Sequence, residues 1–150
     1  MSDNNNIKAN TSFASNRFQH PSPGVGAVGQ YQLSGIPYAT ASVFIQNVLD
    51  GEGATQFSFP YVTKFVTVIN EHSGSSAKLR VGFSAAGVSG TVDNNYFLLD
   101  NGESYTGEFR VSSLYLAGNS TNTTASVIAG MTGIPAAKLQ TNWSGTSGVG

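Results

Sequence analysis

The stretch Asn95–Ala117, NYFLLDNGESYTGEFRVSSLYLA, decides how the chain is read. Tyr96–Leu99 is apolar at every position, and Asp100-Asn101-Gly102 is a turn signal. Ser104–Arg110 then alternates, with Tyr105, Gly107 and Phe109 against Ser104, Thr106, Glu108 and Arg110, and Ser112–Ala117 resumes after a break at Val111. β-Branched and aromatic residues at period two, punctuated by Asn, Asp and Gly, predict strands.

The same period extends outward from this stretch. Upstream runs cover Thr40–Val48, Thr55–Phe59, Tyr61–Asn70 and Lys78–Phe83, and one downstream run covers Thr124–Met131. Pro60 separates two of them, because proline cannot donate to a ladder. Asn95–Leu99, Glu103–Arg110 and Ser112–Ala117 complete a set of eight. Ser84–Asn94 reads as a connection, and Pro135–Gln140 as one helical turn. No window sustains a 3.6-residue period, so the crossover helices of a parallel sheet are not expected. The expected fold class is all-β: a single jelly-roll β-sandwich of two four-stranded antiparallel sheets with an extended N-terminal arm. In that topology the first, eighth, third and sixth runs share one sheet, and the second, seventh, fourth and fifth share the other. The chain then changes sheet at Pro60 and at Val111. Asp100-Asn101-Gly102 fits less well, because Asn-Gly is hairpin chemistry where a jelly roll crosses between sheets. An immunoglobulin-like sandwich is the competing topology; it usually carries a core Trp, and the only Trp is Trp143 near the end of the chain. The expected organisation is an arm over residues 1–36, a domain over 37–134 and a Gly/Ser-rich tail over 135–150.

A chain of 150 residues suits one domain, which buries roughly 68–70% of its unfolded surface. Cysteine is absent, so disulfides and thiolate metal sites are excluded. The net charge of −1, with 10% charged residues, offers no basic stripe for nucleic acid. A neutral surface rich in Ser, Thr, Asn and Gly resists self-association poorly, which fits a subunit that packs against neighbours. No apolar run approaches a membrane span. The opening residues, Met1–Asn6, lack the basic and apolar regions of a signal peptide, so synthesis in the cytosol is expected.

Motifs with chemistry fail on context. Gly24-Val25-Gly26-Ala27-Val28-Gly29 matches the dinucleotide fingerprint, but a Pro-rich segment precedes it where a strand is required. Gly82-Phe83-Ser84-Ala85-Ala86 is the nearest approach to a nucleophile elbow, yet it ends in Ala and is read as leading into a loop. Two distant histidines, His20 and His72, do not supply a zinc site. In a jelly roll, four loops carrying Asp50 and Glu52, Glu71 and His72, Asp100 and Glu103, and Asn119 and Asn122 gather at one end. Oxygen-rich loops bind calcium, but this spacing matches no loop motif, and solvated loop charges are the plainer reading. Asn10, Asn119, Asn122 and Asn142 begin N-x-S/T sequons, a frequency that composition alone accounts for. No catalytic residue, cofactor or metal is therefore expected. The residues that stand out are apolar. Phe65 and Ile69, and Tyr96 and Leu98, lie on strands apolar on both faces, while Phe13 and Phe18 are isolated in the arm. Either a loop or the arm covers the two-faced strands, or they form a subunit interface. The arm is either a loose tail or a segment that docks its two Phe side chains on another subunit.

Several runs resemble a known family. They are His20-Pro21-Ser22-Pro23-Gly24-Val25-Gly26, Gln30–Pro37, Phe59–Lys64, Asn95–Tyr105 and Ile128–Ile134. Together they resemble the single jelly-roll penton (vertex) capsid proteins of large icosahedral DNA viruses of algae and protists. The resemblance spans roughly residues 20–134 and is one of pattern and fold, without a catalytic motif. It implies a non-enzymatic virion protein, assembled in the host cytoplasm as a homopentamer at each fivefold vertex. Its partners would be itself and the neighbouring major and minor capsid proteins, with no nucleic acid. A decoration protein of a tailed phage and a carbohydrate-binding jelly-roll module are the alternatives.

Overall fold

The computed structural model describes residues 35–50, 53–74, 77–90, 94–139 and 145–150, without the side chain of Asp50. Eight strands run in chain order: β1 Ile36–Ile45, β2 Thr55–Ser58, β3 Tyr61–Asn70, β4 Leu79–Gly82, β5 Tyr96–Leu99, β6 Ser104–Gly107, β7 Ser113–Gly118 and β8 Thr123–Pro135. A five-residue helix, α1 (Ala85–Ser89), follows β4, and short 3-10 turns occupy Val48–Asp50 and Ala136–Lys138. The strands form two four-stranded antiparallel sheets, ordered β1-β8-β3-β6 and β2-β7-β4-β5. The protein is thus an all-β sandwich.

The period-two pattern builds the core. Val66 and Val68 of β3, and Ala125, Val127, Ala129 and Met131 of β8, turn inward from one sheet. Phe57, Leu79, Val81, Leu114 and Leu116 meet them from the other. Burial of each large side chain contributes about 1.5–3 kcal/mol. Polar residues are buried beside them, Asn70 the most extensively bonded. Asn70 is fully buried; its Nδ2 donates to the carbonyls of Ala77 (2.8 Å) and Leu99 (3.1 Å). Its Oδ1 accepts from the Thr123 hydroxyl (2.8 Å) and the His72 amide (3.2 Å). All four hydrogen-bonding positions of the amide are used, tying β3, β5 and β8 together with the loop before β4.

Several boundaries depart from the sequence reading. β1 covers Ile36–Ile45, not Thr40–Val48, and is bulged between Thr40 and Val43. Ser42 sits there at φ 54°, an uncommon angle for a non-glycine residue. Its amide donates to Glu71 Oε2 and Ser126 Oγ (both 3.1 Å), whereas the Thr40 hydroxyl at the edge of the bulge is buried without a partner. Pro37 is tolerated because β1 is an edge strand. β6 stops at Gly107, not Arg110, and the Phe109 ring lies directly against Gly107, where a Cβ would collide with it. Phe109 packs edge-on against Phe83 across the sandwich, with centroids 5.0 Å apart.

Three of the six passages between the sheets bear on the sequence reading. One lies at Phe59-Pro60, between β2 and β3. The second runs from Glu108 to Ser112, where the buried Thr63 hydroxyl donates to the Phe109 carbonyl (2.6 Å) and accepts from the Val111 amide (3.2 Å). The third is Asp100-Asn101-Gly102, which joins strands of different sheets instead of closing a hairpin. The Glu103 amide donates to the Asp100 carbonyl (3.0 Å), and Gly102 takes the positive φ of 73° that the turn needs.

Candidate functional site

The outer faces of the two sheets are the surfaces on which the sequence places its unexplained apolar residues. On β2-β7-β4-β5, strand alternation turns Arg80, Gly82, Tyr96 and Leu98 outward. α1 lies over this face. Ser84 starts the helix by accepting from the Gly87 amide (3.0 Å), and Gly90 ends it in the left-handed conformation at φ 69°. Val88 is fully buried beneath it. Arg80 braces the arrangement: its guanidinium donates to the carbonyls of Val88 and Ser89 (both 3.2 Å) and to Asn119 Oδ1 (2.8 Å). It also lies 4.3 Å from the centroid of the Tyr96 ring. A cation beside the last carbonyls of a helix is favourable, and so is one above an aromatic face. The C-terminal residues close over α1, with the Ser84 hydroxyl donating to the Val149 carbonyl (2.5 Å).

The outer face of β1-β8-β3-β6 is different. Alternation turns out Pro37, Ala39 and Phe44 from β1, Ile128 and Gly130 from β8, Phe65, Thr67 and Ile69 from β3, and Ser104 and Thr106 from β6. None is charged. Ile128 lies opposite Thr67 and is flanked diagonally by Phe65 and Ile69, so the three apolar side chains form one ridge. Phe44 is 60% exposed and Ile128 40% exposed. Charges flank these residues at both ends: Lys64 sits at the β3 bulge beside Phe65, and Glu71 accepts from both the amide and the hydroxyl of Ser42.

The sequence-selected residues therefore divide. Phe65 and Ile69 sit together, half-buried, on the open face. Tyr96 is half-buried under Arg80, and Leu98, 42% exposed, lies on edge strand β5. Phe13, Phe18, Trp143 and the glycine run 24–29 lie outside the described residues. Phe44 and Ile128 were not singled out from the sequence, although alternation places Ile128 opposite the inward-facing Val127. The bulge at Ser42 shifts the phase of β1 and hides Phe44 from a simple count.

The loop carboxylates have separate partners. Glu71 binds Ser42, Asp100 pairs with Lys78 at 3.2 Å, and Glu103 accepts from the Asp100 amide at 2.8 Å. Asn122 Oδ1 accepts from the amide and the side chain of Asn47 (2.9 and 3.0 Å). Among the described residues, no group of three or more His, Asp or Glu side chains is placed to hold a metal ion. Glu52 lies outside them. The Gly82–Ala86 run corrects the reading from sequence, since it leads from β4 into α1 and not into a loop. Even so, Ser84 has ordinary extended geometry (φ −145°, ψ 154°) and serves as a helix cap. An open cleft of about 290 Å³ between the Glu108–Val111 passage and Val149 has Phe83 and Phe109 as its apolar wall. Among the described residues, no helix is long and apolar enough to cross a membrane.

The fold and this surface define a class: an all-β sandwich in which, among the described residues, one outer face is partly covered by its own chain and the other is not. The sequence matches no family model and no curated protein.

Proposed function

We propose that this chain is a structural capsid subunit of the penton kind, a non-enzymatic protein that assembles as a homopentamer at the fivefold vertices of an icosahedral shell and contacts the neighbouring major and minor capsid proteins. The observation that carries the reading is the strand order. Sheets ordered β1-β8-β3-β6 and β2-β7-β4-β5, entered by passages at Pro60 and around Val111, support a jelly roll, the architecture of many capsid domains. The family resemblance of residues 20–134 points the same way. The open face supports self-association: Phe44, Ile128, Phe65 and Ile69 lie on an uncharged surface, and a contiguous apolar patch marks an interaction site. A closed ring needs a heterologous interface, one side of each subunit meeting a different side of the next. The open face supplies one side of such a pair.

The test is the mass of the full chain by light scattering and native mass spectrometry over a range of concentrations. A pentamer, or incorporation at particle vertices, is the expected result. A monomer at every concentration overturns the reading.

A further inference from the structure

The open face is too small to hold two copies together by stacking on itself. Four strands at about 4.8 Å spacing and about eight residues at ~3.3 Å each give roughly 500 Å². Two such faces bury about 1,000 Å², short of the roughly 1,200–2,000 Å² of stable complexes. Stacking would also be isologous and would not propagate round a ring. Another occupant is required.

The chain contains a suitable segment. Residues 1–34 hold only three formal charges, Asp3, Lys8 and Arg17, and include Phe13, Phe18, Tyr31 and Leu33. They join the domain on the sheet that carries the open face, where the Gly35 amide donates to the Met131 carbonyl (2.9 Å). The register fixes the direction there. Ile36 pairs with Met131 and Pro37 with Gly130, so at Gly35 the backbone is directed along β8 towards Pro135 and away from Phe44. The segment spans up to about 110 Å when extended, whereas a domain of this size has a radius of gyration of only about 13 Å. It is long enough to reach an adjacent subunit.

We propose that residues 1–34 of one copy dock on the outer face of the β1-β8-β3-β6 sheet of the next copy, with Phe13 and Phe18 seated against the ridge of Phe65, Ile128 and Ile69. This rests on the self-assembling reading above and names what joins the subunits. It supplies the missing area and is head-to-tail, as a ring requires.

The absence of cysteine makes the test direct. Phe13→Cys and Phe18→Cys are each combined with Ile128→Cys in the full chain, bridged with a short bismaleimide and run on a denaturing gel. Ile128 is 40% exposed, so its substitution spares the core. A ladder beyond dimer is expected from at least one double variant, with the single-cysteine parents giving dimers at most. An intramolecular bridge, seen as a shifted monomer band, overturns the exchange. An oligomer of native mass that gives no ladder also overturns it while leaving the pentamer reading intact. A chain monomeric at every concentration defeats both. In a second measurement, Phe13→Ser and Phe18→Ser together raise the apparent dissociation constant of the oligomer about tenfold or more; an unchanged constant overturns the proposal.

Discussion

The two sheets share a core, yet their outer faces are finished in opposite ways. On β2-β7-β4-β5, the short helix, the Arg80 guanidinium and the C-terminal turn cover what the strands leave bare. On β1-β8-β3-β6, side chains of the same chemical kind stay in solvent with no charge among them. Apolar side chains alone do not separate these faces, since Tyr96 and Leu98 project from one as Phe65 and Ile69 do from the other. What separates them is whether a chain segment returns over the strands. In this protein a strand apolar on both sides therefore has two explanations, internal cover for Tyr96 and an open surface for Phe65 and Ile69.

The contrast breaks most readily at Val88. It is fully buried under α1, and Val88→Ser loses its burial and strands a hydroxyl. The expected cost is about 3 kcal/mol in a denaturant titration; a cost near zero would mean that the helix does not seal the face. Arg80→Ala comes next. It removes three hydrogen-bond partners and the contact with Tyr96, for an expected loss of about 1–3 kcal/mol. Faster amide exchange across Ala85–Ser89 should accompany it, and Arg80→Lys should restore only part, because an ammonium lacks the planar fork. The smallest effect belongs to the open face. Ile128→Ser should change the unfolding free energy of the dissociated chain by no more than about 0.5 kcal/mol. Equal losses at Val88 and Ile128 would erase the distinction between the two faces.

The strands were legible because their signal is local. Alternation located seven and the apolar run Tyr96–Leu99 the eighth, and breaks at Pro60 and Val111 marked two of the passages between sheets. Helix α1 escaped because five residues, Ala85–Ser89, are too few to display a period. Its only traces are its terminal residues, Ser84 and Gly90. The Asp100-Asn101-Gly102 turn looked like a hairpin because its chemistry states how sharply the chain bends and not which sheet it enters next. Asn70 read as the polar end of a strand. Its burial depends on Ala77, Leu99 and Thr123, and no local pattern reveals contacts so far along the chain. Arg80 alternated correctly onto the outer face, but α1 had to be found before its role could be seen. The candidate surface was half legible: Phe65 and Ile69 stood out, whereas Phe44 depended on the bulge at Ser42.

The position of β8 bears on how the polypeptide is made. It is the last strand in order, yet it lies between β1 and β3 and pairs with both. During synthesis, which proceeds from the N-terminus, the earlier strands have left the ribosome before their central partner exists. The Ile128 ridge, which β8 itself supplies, comes into being only when that sheet closes. A nascent chain thus presents no finished docking surface, and the capacity to associate arrives together with the completed domain.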